Sequence, residues 1–124
     1  MKERKRILLA DDQDAVRELV AMTLGGDSFE LLDAADGATA LRMARNFRPD
    51  LVLLDVGMPE LDGFTVCRAL KDDPDTRDIP VVMLTAAGAE ADRAAGRAAG
   101  ADGYFTKPFS PTALVNKVYE VIGS

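Results

Sequence analysis

A chain of 124 residues that is 48% apolar and 29% charged, with no low-complexity tract or internal repeat, reads as one domain over residues 1–124. That length is enough to bury about two thirds of the unfolded surface in a single core. The formal net charge of −6 argues against a phosphate-backbone partner, because domains that grip nucleic acid present a basic face, so no direct nucleic-acid contact is expected. One cysteine, Cys67, excludes an internal disulfide and suits a reducing compartment. The apolar run after Lys2-Glu3-Arg4-Lys5-Arg6 is too short for a signal peptide or a membrane span, which points to a cytoplasmic protein with no membrane partner.

Arg6 to Ala10 reads as a first strand, after which Asp14 is placed to cap a helix with Val16, Leu19, Val20, Thr23 and Leu24 at helical spacing, ended by Gly25-Gly26. Phe29 to Ala34 is a second strand with the mixed character of a sheet edge, and Asp36-Gly37 turns out of it. The helix that follows, to about Phe47, has Gly37, Ala40, Leu41, Ala44 and Phe47 as its inward face, and Pro49 stops it. Leu51-Val52-Leu53-Leu54 is a run of four large apolar residues, the mark of a strand buried on both faces, and it ends at Asp55. A turn-rich stretch, Met58-Pro59-Glu60-Leu61-Asp62-Gly63, leads to a helix through Phe64, Cys67 and Leu70 that breaks at Asp72-Asp73-Pro74-Asp75. In that helical pattern Cys67 is a packing residue. Val81 to Leu84 is a fourth strand, closed by Thr85. Residues 86–100 are helical, with eight Ala and three Gly, and carry Glu90, Asp92, Arg93 and Arg97 on the polar side. Gly103 to Thr106 makes a fifth strand, and Ser110-Pro111 opens a last helix with Leu114, Val118, Val121 and Ile122 inward.

Five strands alternating with five helices, right-handed at each crossover, predict a doubly wound α/β sheet. Periodicity does not give the strand order. If the first strand lies beside the third, however, Asp11, Asp12 and Asp55 meet at a switch point beyond the carboxyl ends of the strands, where such sheets bind ligands. Each of these residues alone is most simply a strand-end polar group; the set is what carries chemistry. Carboxylates about 4 Å apart repel by roughly 4 kcal/mol per pair at an effective dielectric near 20, so the cluster must be protonated, spread apart or neutralised, and a divalent cation is the economical answer. Oxygen-only ligation with few protein ligands suits Mg²⁺, which leaves positions for phosphoryl oxygens. A carboxylate beside it can then attack phosphorus, with Thr85 and Lys107 as donors to the equatorial oxygens.

The motifs Leu9-Ala10-Asp11-Asp12, Leu54-Asp55-Val56-Gly57-Met58-Pro59 with Asp62-Gly63, Leu84-Thr85-Ala86, and Gly103-Tyr104-Phe105-Thr106-Lys107-Pro108-Phe109 resemble, in order and spacing, the receiver domains of two-component response regulators. The resemblance covers essentially the whole chain. It implies a single five-stranded parallel sheet of order 2-1-3-4-5 flanked by five helices. It also implies that Asp55 is the phosphoacceptor, that Asp11 and Asp12 with Asp55 and the Gly57 carbonyl hold Mg²⁺, and that Thr85 and Lys107 bind the phosphoryl group. Tyr104 stands where the family has its switch aromatic, and Lys107-Pro108 where it has a cis peptide. The implied activity is that of a phosphoacceptor that promotes its own phosphorylation and dephosphorylation, not of an enzyme with an external substrate. The implied partners are a sensor histidine kinase or histidine phosphotransfer protein and a downstream target or output domain. Thr85 and Tyr104 would move a face made by the fourth helix, fifth strand and fifth helix, through which a homodimer is one of the contacts allowed.

Three other readings stay open at this level. Haloacid-dehalogenase-type phosphatases also use an aspartyl nucleophile with Mg²⁺, Thr or Ser and Lys, but they need a second Asp two residues after the nucleophile, where this chain has Gly57. A flavodoxin-like binding module would share the fold, yet Asp11-Asp12-Gln13-Asp14 in its first loop would repel a phosphate. A degenerate receiver that keeps the fold without phosphorylation would be expected to have lost part of the residue set. Turnover of small phosphate esters and flavin absorbance separate the first two from a receiver.

Overall fold

The computed structural model describes residues 4–25, 29–58, 61–86, 90–107 and 110–122. Its elements alternate as β1 (Lys5–Ala10), α1 (Asp14–Leu24), β2 (Phe29–Ala34), α2 (Gly37–Phe47), β3 (Leu51–Asp55), α3 (Gly63–Asp72), β4 (Val81–Ala86), α4 (Glu90–Ala99), β5 (Gly103–Lys107) and α5 (Pro111–Ile122). The strands form one parallel sheet in the order β2-β1-β3-β4-β5, as expected.

Burial explains the layering. Alternate residues of a strand point to opposite faces. One set, Ile7, Leu9, Leu51, Leu53, Val82 and Leu84, packs against Val20 and Leu24 of α1 and Leu114 and Val118 of α5. The other set, Leu8, Ala10, Val52, Leu54, Val81 and Met83, packs under α2, α3 and α4 through residues such as Ala40, Ala44, Val66, Cys67, Leu70 and Ala99. Every residue of β3 is buried, which accounts for its uninterrupted apolar run. Cys67 behaves as a packing residue: burial pushes its thiol up to about 11, and its Sγ lies 3.6 Å from the Ala99 carbonyl.

Three local expectations are corrected. The helical stretch expected over residues 86–100 is shorter: Ala86 still pairs in the sheet as the last residue of β4, and α4 runs Glu90–Ala99. Asp14 is the first residue of α1, not its cap; the cap position is Gln13, whose side chain makes no capping bond. The Gln13 N–H instead donates to Asp11 Oδ1 at 2.9 Å, and Asp14 pairs with Arg17 along the helix. Phe47 is 44% exposed, because α2 ends there with Arg48 in the left-handed region (φ 46°) and the chain turns back toward β3. The N-caps of α2 and α3 are Asp36 and Asp62, which accept from the Thr39 and Thr65 N–H groups, each at 2.8 Å. α1 ends at Leu24 with Gly25 as its C-cap, as expected, while Gly26, and Pro108 with the expected cis peptide, lie outside the described residues.

Candidate functional site

The order of the sheet gathers the chemistry-bearing residues at the carboxyl ends of the strands. Ala10 pairs with Leu54, so Asp11 and Asp55, the next residues, emerge side by side. Their carboxylate oxygens and that of Asp12 lie within 4.8 Å of one another. Asp11 is fully buried, Asp55 is 7% exposed and Asp12 is open to solvent. From the edge strand β5, Lys107 reaches over the end of β4, with Nζ 2.7 Å from Asp11 Oδ2 and 3.1 Å from Asp55 Oδ1. The structure thus brings Asp11, Asp12, Asp55 and Lys107 into one group.

The charges answer to that geometry. Burial, and then the charge of Asp11, raise the Asp55 carboxyl above its ordinary value, against the hydrogen bond and charge of Lys107 and a hydrogen bond from the Gly57 backbone. Burial alone would lower the Lys107 ammonium, but its hydrogen bonds to Asp11 and Asp55, and their charges, outweigh burial and raise it. One ammonium therefore faces two buried carboxylates and a third exposed one. The donor set is all oxygen, carries excess negative charge and has an open side at Asp12, which fits a hard divalent cation.

Thr85 is the last residue but one of the adjacent strand β4, and its Oγ1 is buried without a hydrogen-bond partner among the described residues. An orphaned buried hydroxyl costs about 1–3 kcal/mol, so it marks a place where an acceptor is wanted. Tyr104 stands on β5, three residues before Lys107. Its ring is seated against α4 so closely that a Cβ at Gly96 would come within 2.9 Å of Tyr104 Cε1, and its hydroxyl is also buried without a partner among the described residues. Gly57 borders open space, since a Cβ there would meet nothing within 4 Å.

Gly63, the first residue of α3, has a part in the site that its place in the sequence does not announce. A Cβ on it would overlap the Asp55 carbonyl oxygen and come within 3.0 Å of Asp55 C and Val56 Cα. The helix start is therefore laid directly on the phosphoacceptor candidate's backbone. The Asp62-Gly63 pair signals only a turn and a helix start; the approach to Asp55 comes from the packing of α3 on the end of β3.

Fold and site together define a doubly wound α/β protein with a cation-ready acidic crevice at its switch point. The chain belongs to the response regulator receiver domain family, whose description "Response regulator receiver domain" matches residues 7–119. It is 49% identical over 113 residues to the response regulator PleD of Caulobacter vibrioides, covering 91% of this chain and 25% of PleD. It is 43% identical over 118 residues to the phosphate regulon transcriptional regulatory protein PhoB of Escherichia coli, covering 95% of this chain and 52% of PhoB. The chain thus spans between a quarter and about half of these relatives' length. Among solved structures it is similar to the chemotaxis protein CheY4 of Vibrio cholerae, with a TM-score of 0.90 at 33% identity over 96% of this chain and 99% of that one. It is also similar to the receiver domain of the sensor histidine kinase PA1611 of Pseudomonas aeruginosa, with a TM-score of 0.89 at 30% identity over 98% and 100% of the two chains. That crystal structure has a magnesium ion coordinated in the active site cleft. PhoB is by name a transcriptional regulator, so the absence of nucleic-acid contact expected from net charge concerns the stretch of 124 residues and is not extended to any longer protein. Among the described residues, no helix is long and apolar enough to cross a membrane.

Proposed function

We propose that residues 1–124 act as one phosphorylation-driven switch in which Asp55 accepts a phosphoryl group from a phosphohistidine on a sensor histidine kinase or a histidine phosphotransfer protein. The observation that carries the reading is the Lys107 ammonium held between the buried carboxylates of Asp11 and Asp55 beside a third, exposed carboxylate. Asp11, Asp12, Asp55 and the Gly57 carbonyl are the residues that would hold Mg²⁺. Bound there, the ion supplies positive charge toward the equatorial oxygens of the group in transfer. A carboxylate oxygen of Asp55 attacks phosphorus and the phosphorus–nitrogen bond breaks, its electron pair leaving on the imidazole. Lys107 then exchanges its contact with Asp55 for a phosphoryl oxygen, and Thr85 donates its unpartnered hydroxyl to another. Hydrolysis of the acyl phosphate by water resets the site, which makes the protein a self-phosphorylating and self-dephosphorylating acceptor and not an enzyme with a separate substrate. A cytoplasmic location goes with these partners.

Intact-mass measurement after incubation with acetyl phosphate and Mg²⁺ tests the assignment. One added phosphoryl group is expected, absent in Asp55→Asn and absent with EDTA. Equal uptake by the Asn variant would sink it.

The output is read on the face of α4, β5 and α5, where a target, an output domain or a second copy would engage. Support comes from the seat of Tyr104 on Gly96 and from a long bond between α4 and β5, Arg93 Nη2 to Thr106 Oγ1 at 3.3 Å. Thr106 pairs with Thr85 across β4 and β5, so a shift of Thr85 toward a phosphoryl oxygen acts on a neighbour of that bond. With beryllofluoride as a phosphoryl mimic, amide exchange is expected to change in residues 90–107; unchanged protection there would rule this face out as the moving part.

A further inference from the structure

The loop after β1 has to hold Asp11 and Asp12 in a place where like charges drive them apart. The Asp11 N–H donates to the Ala34 carbonyl at 3.1 Å, and Asp11 Oδ1 accepts from the Gln13 N–H at 2.9 Å. The Asp11 main-chain carbonyl is taken by a side chain of α1: Arg17 Nη1 donates to it at 2.7 Å. The same guanidinium presents Nη2 to Asp14 and Nε to Asp33 Oδ2 at 3.5 Å. Three nitrogens of one rigid plane thus face three points, in the β1–α1 loop, at the start of α1 and at the end of β2. The Arg17 side chain is only 18% exposed, whereas those of Asp14 and Asp33 are 83% and 61% exposed. Exposed ion pairs contribute little by themselves, so the two acidic partners matter chiefly by orienting the fork that meets the Asp11 carbonyl.

We infer that Arg17 is a positioning residue for the cation site. It fixes the peptide that joins Asp11 to Asp12, and through it the spacing of their carboxylates, without being a ligand itself. The carbonyl it binds shares a plane with the Asp12 N–H, so tilting that plane redirects both side chains. The inference rests on Asp11, Asp12 and Asp55 forming the Mg²⁺ site proposed above.

Electrostatics alone makes the opposite prediction. A positive charge beside an acidic cluster opposes cation binding, so removing it would tighten Mg²⁺ if charge were all that mattered. Loss of a residue that orients ligands costs about 10–100-fold in metal affinity. The experiment is calorimetric titration of Mg²⁺ into the wild type, Arg17→Lys and Arg17→Gln at neutral pH, with a thermal melt of each. Lysine keeps the charge but offers a point in place of a fork; glutamine removes the charge. Both variants are expected to melt cooperatively and to bind Mg²⁺ at least about tenfold more weakly than wild type. Wild-type affinity in Arg17→Lys, or tighter binding in Arg17→Gln, would overturn the inference. A wild type that melts cooperatively but takes up no Mg²⁺ would overturn the reading of the site itself, and the inference with it. If one variant does not fold, the other decides.

Discussion

Replacing Lys107 by Met is expected to destabilise the protein by about 3–5 kcal/mol at neutral pH in the absence of divalent cations, the usual result of removing one partner from a buried ion pair. Lys107 donates to both Asp11 and Asp55, so its loss leaves two buried carboxylates facing each other. The pH dependence follows from Asp55. Its carboxyl is already raised by burial and by Asp11, and in the variant the opposing hydrogen bond and charge of Lys107 are gone, so it rises further. A carboxyl whose folded pKa exceeds its unfolded value favours the native state only while protonated. The deficit is therefore largest above the folded pKa of Asp55 and shrinks as the pH falls through it. Urea unfolding of wild type and Lys107→Met, from neutral pH down into the carboxylate range, reads this directly. Added Mg²⁺ should narrow the gap by replacing the missing charge. A difference that stays constant with pH would show that Lys107 acts through packing of its stem and not through the carboxylates.

Gly63→Ala is expected to cost about 3 kcal/mol, at the upper end for over-packing, because the atoms its Cβ would meet are backbone atoms of Asp55 and Val56 that cannot rotate away. The displaced strand end carries Asp55, so phosphoryl uptake should fall with stability. Gly57→Ala is the control from the same loop. A Cβ there meets nothing within 4 Å, and the lost freedom of the unfolded chain should leave the variant neutral or more stable by about 0.4–1 kcal/mol. Chemical denaturation of the two variants side by side decides; similar stability for both would mean that the start of α3 can move away from β3.

The contrast between these two glycines shows where local pattern stops being informative. The four apolar residues before Asp55 announce a strand buried on both faces, and β3 is one, because burial on two faces leaves no room for alternation. The alternation of strand and helix, the turn residues and the ordered set of Asp11, Asp12, Asp55, Thr85 and Lys107 were likewise legible in the chain itself. The contacts that make a site of that set were not. Lys107 meets Asp11 across 96 residues and Asp55 across 52, and it is a sheet that seats β1 beside β3 and β4 between β3 and β5 that makes those meetings possible. Asp14 looked like a cap and proved to be a helix residue paired with Arg17, while Phe47 fitted the inward stripe of α2 and stands exposed at its end. Nothing in the spacing of Arg17 distinguishes it from a solvated helix residue, and nothing around Gly63 tells that a neighbouring backbone lies against it. Hydrophobic period records which face of an element is buried, and that is a local property settled by the chain's own order of residues. Which strand lies next to which, and which backbone or carboxylate a side chain then meets, depends on how separate elements pack to bury those faces together, and so exists only in the folded molecule.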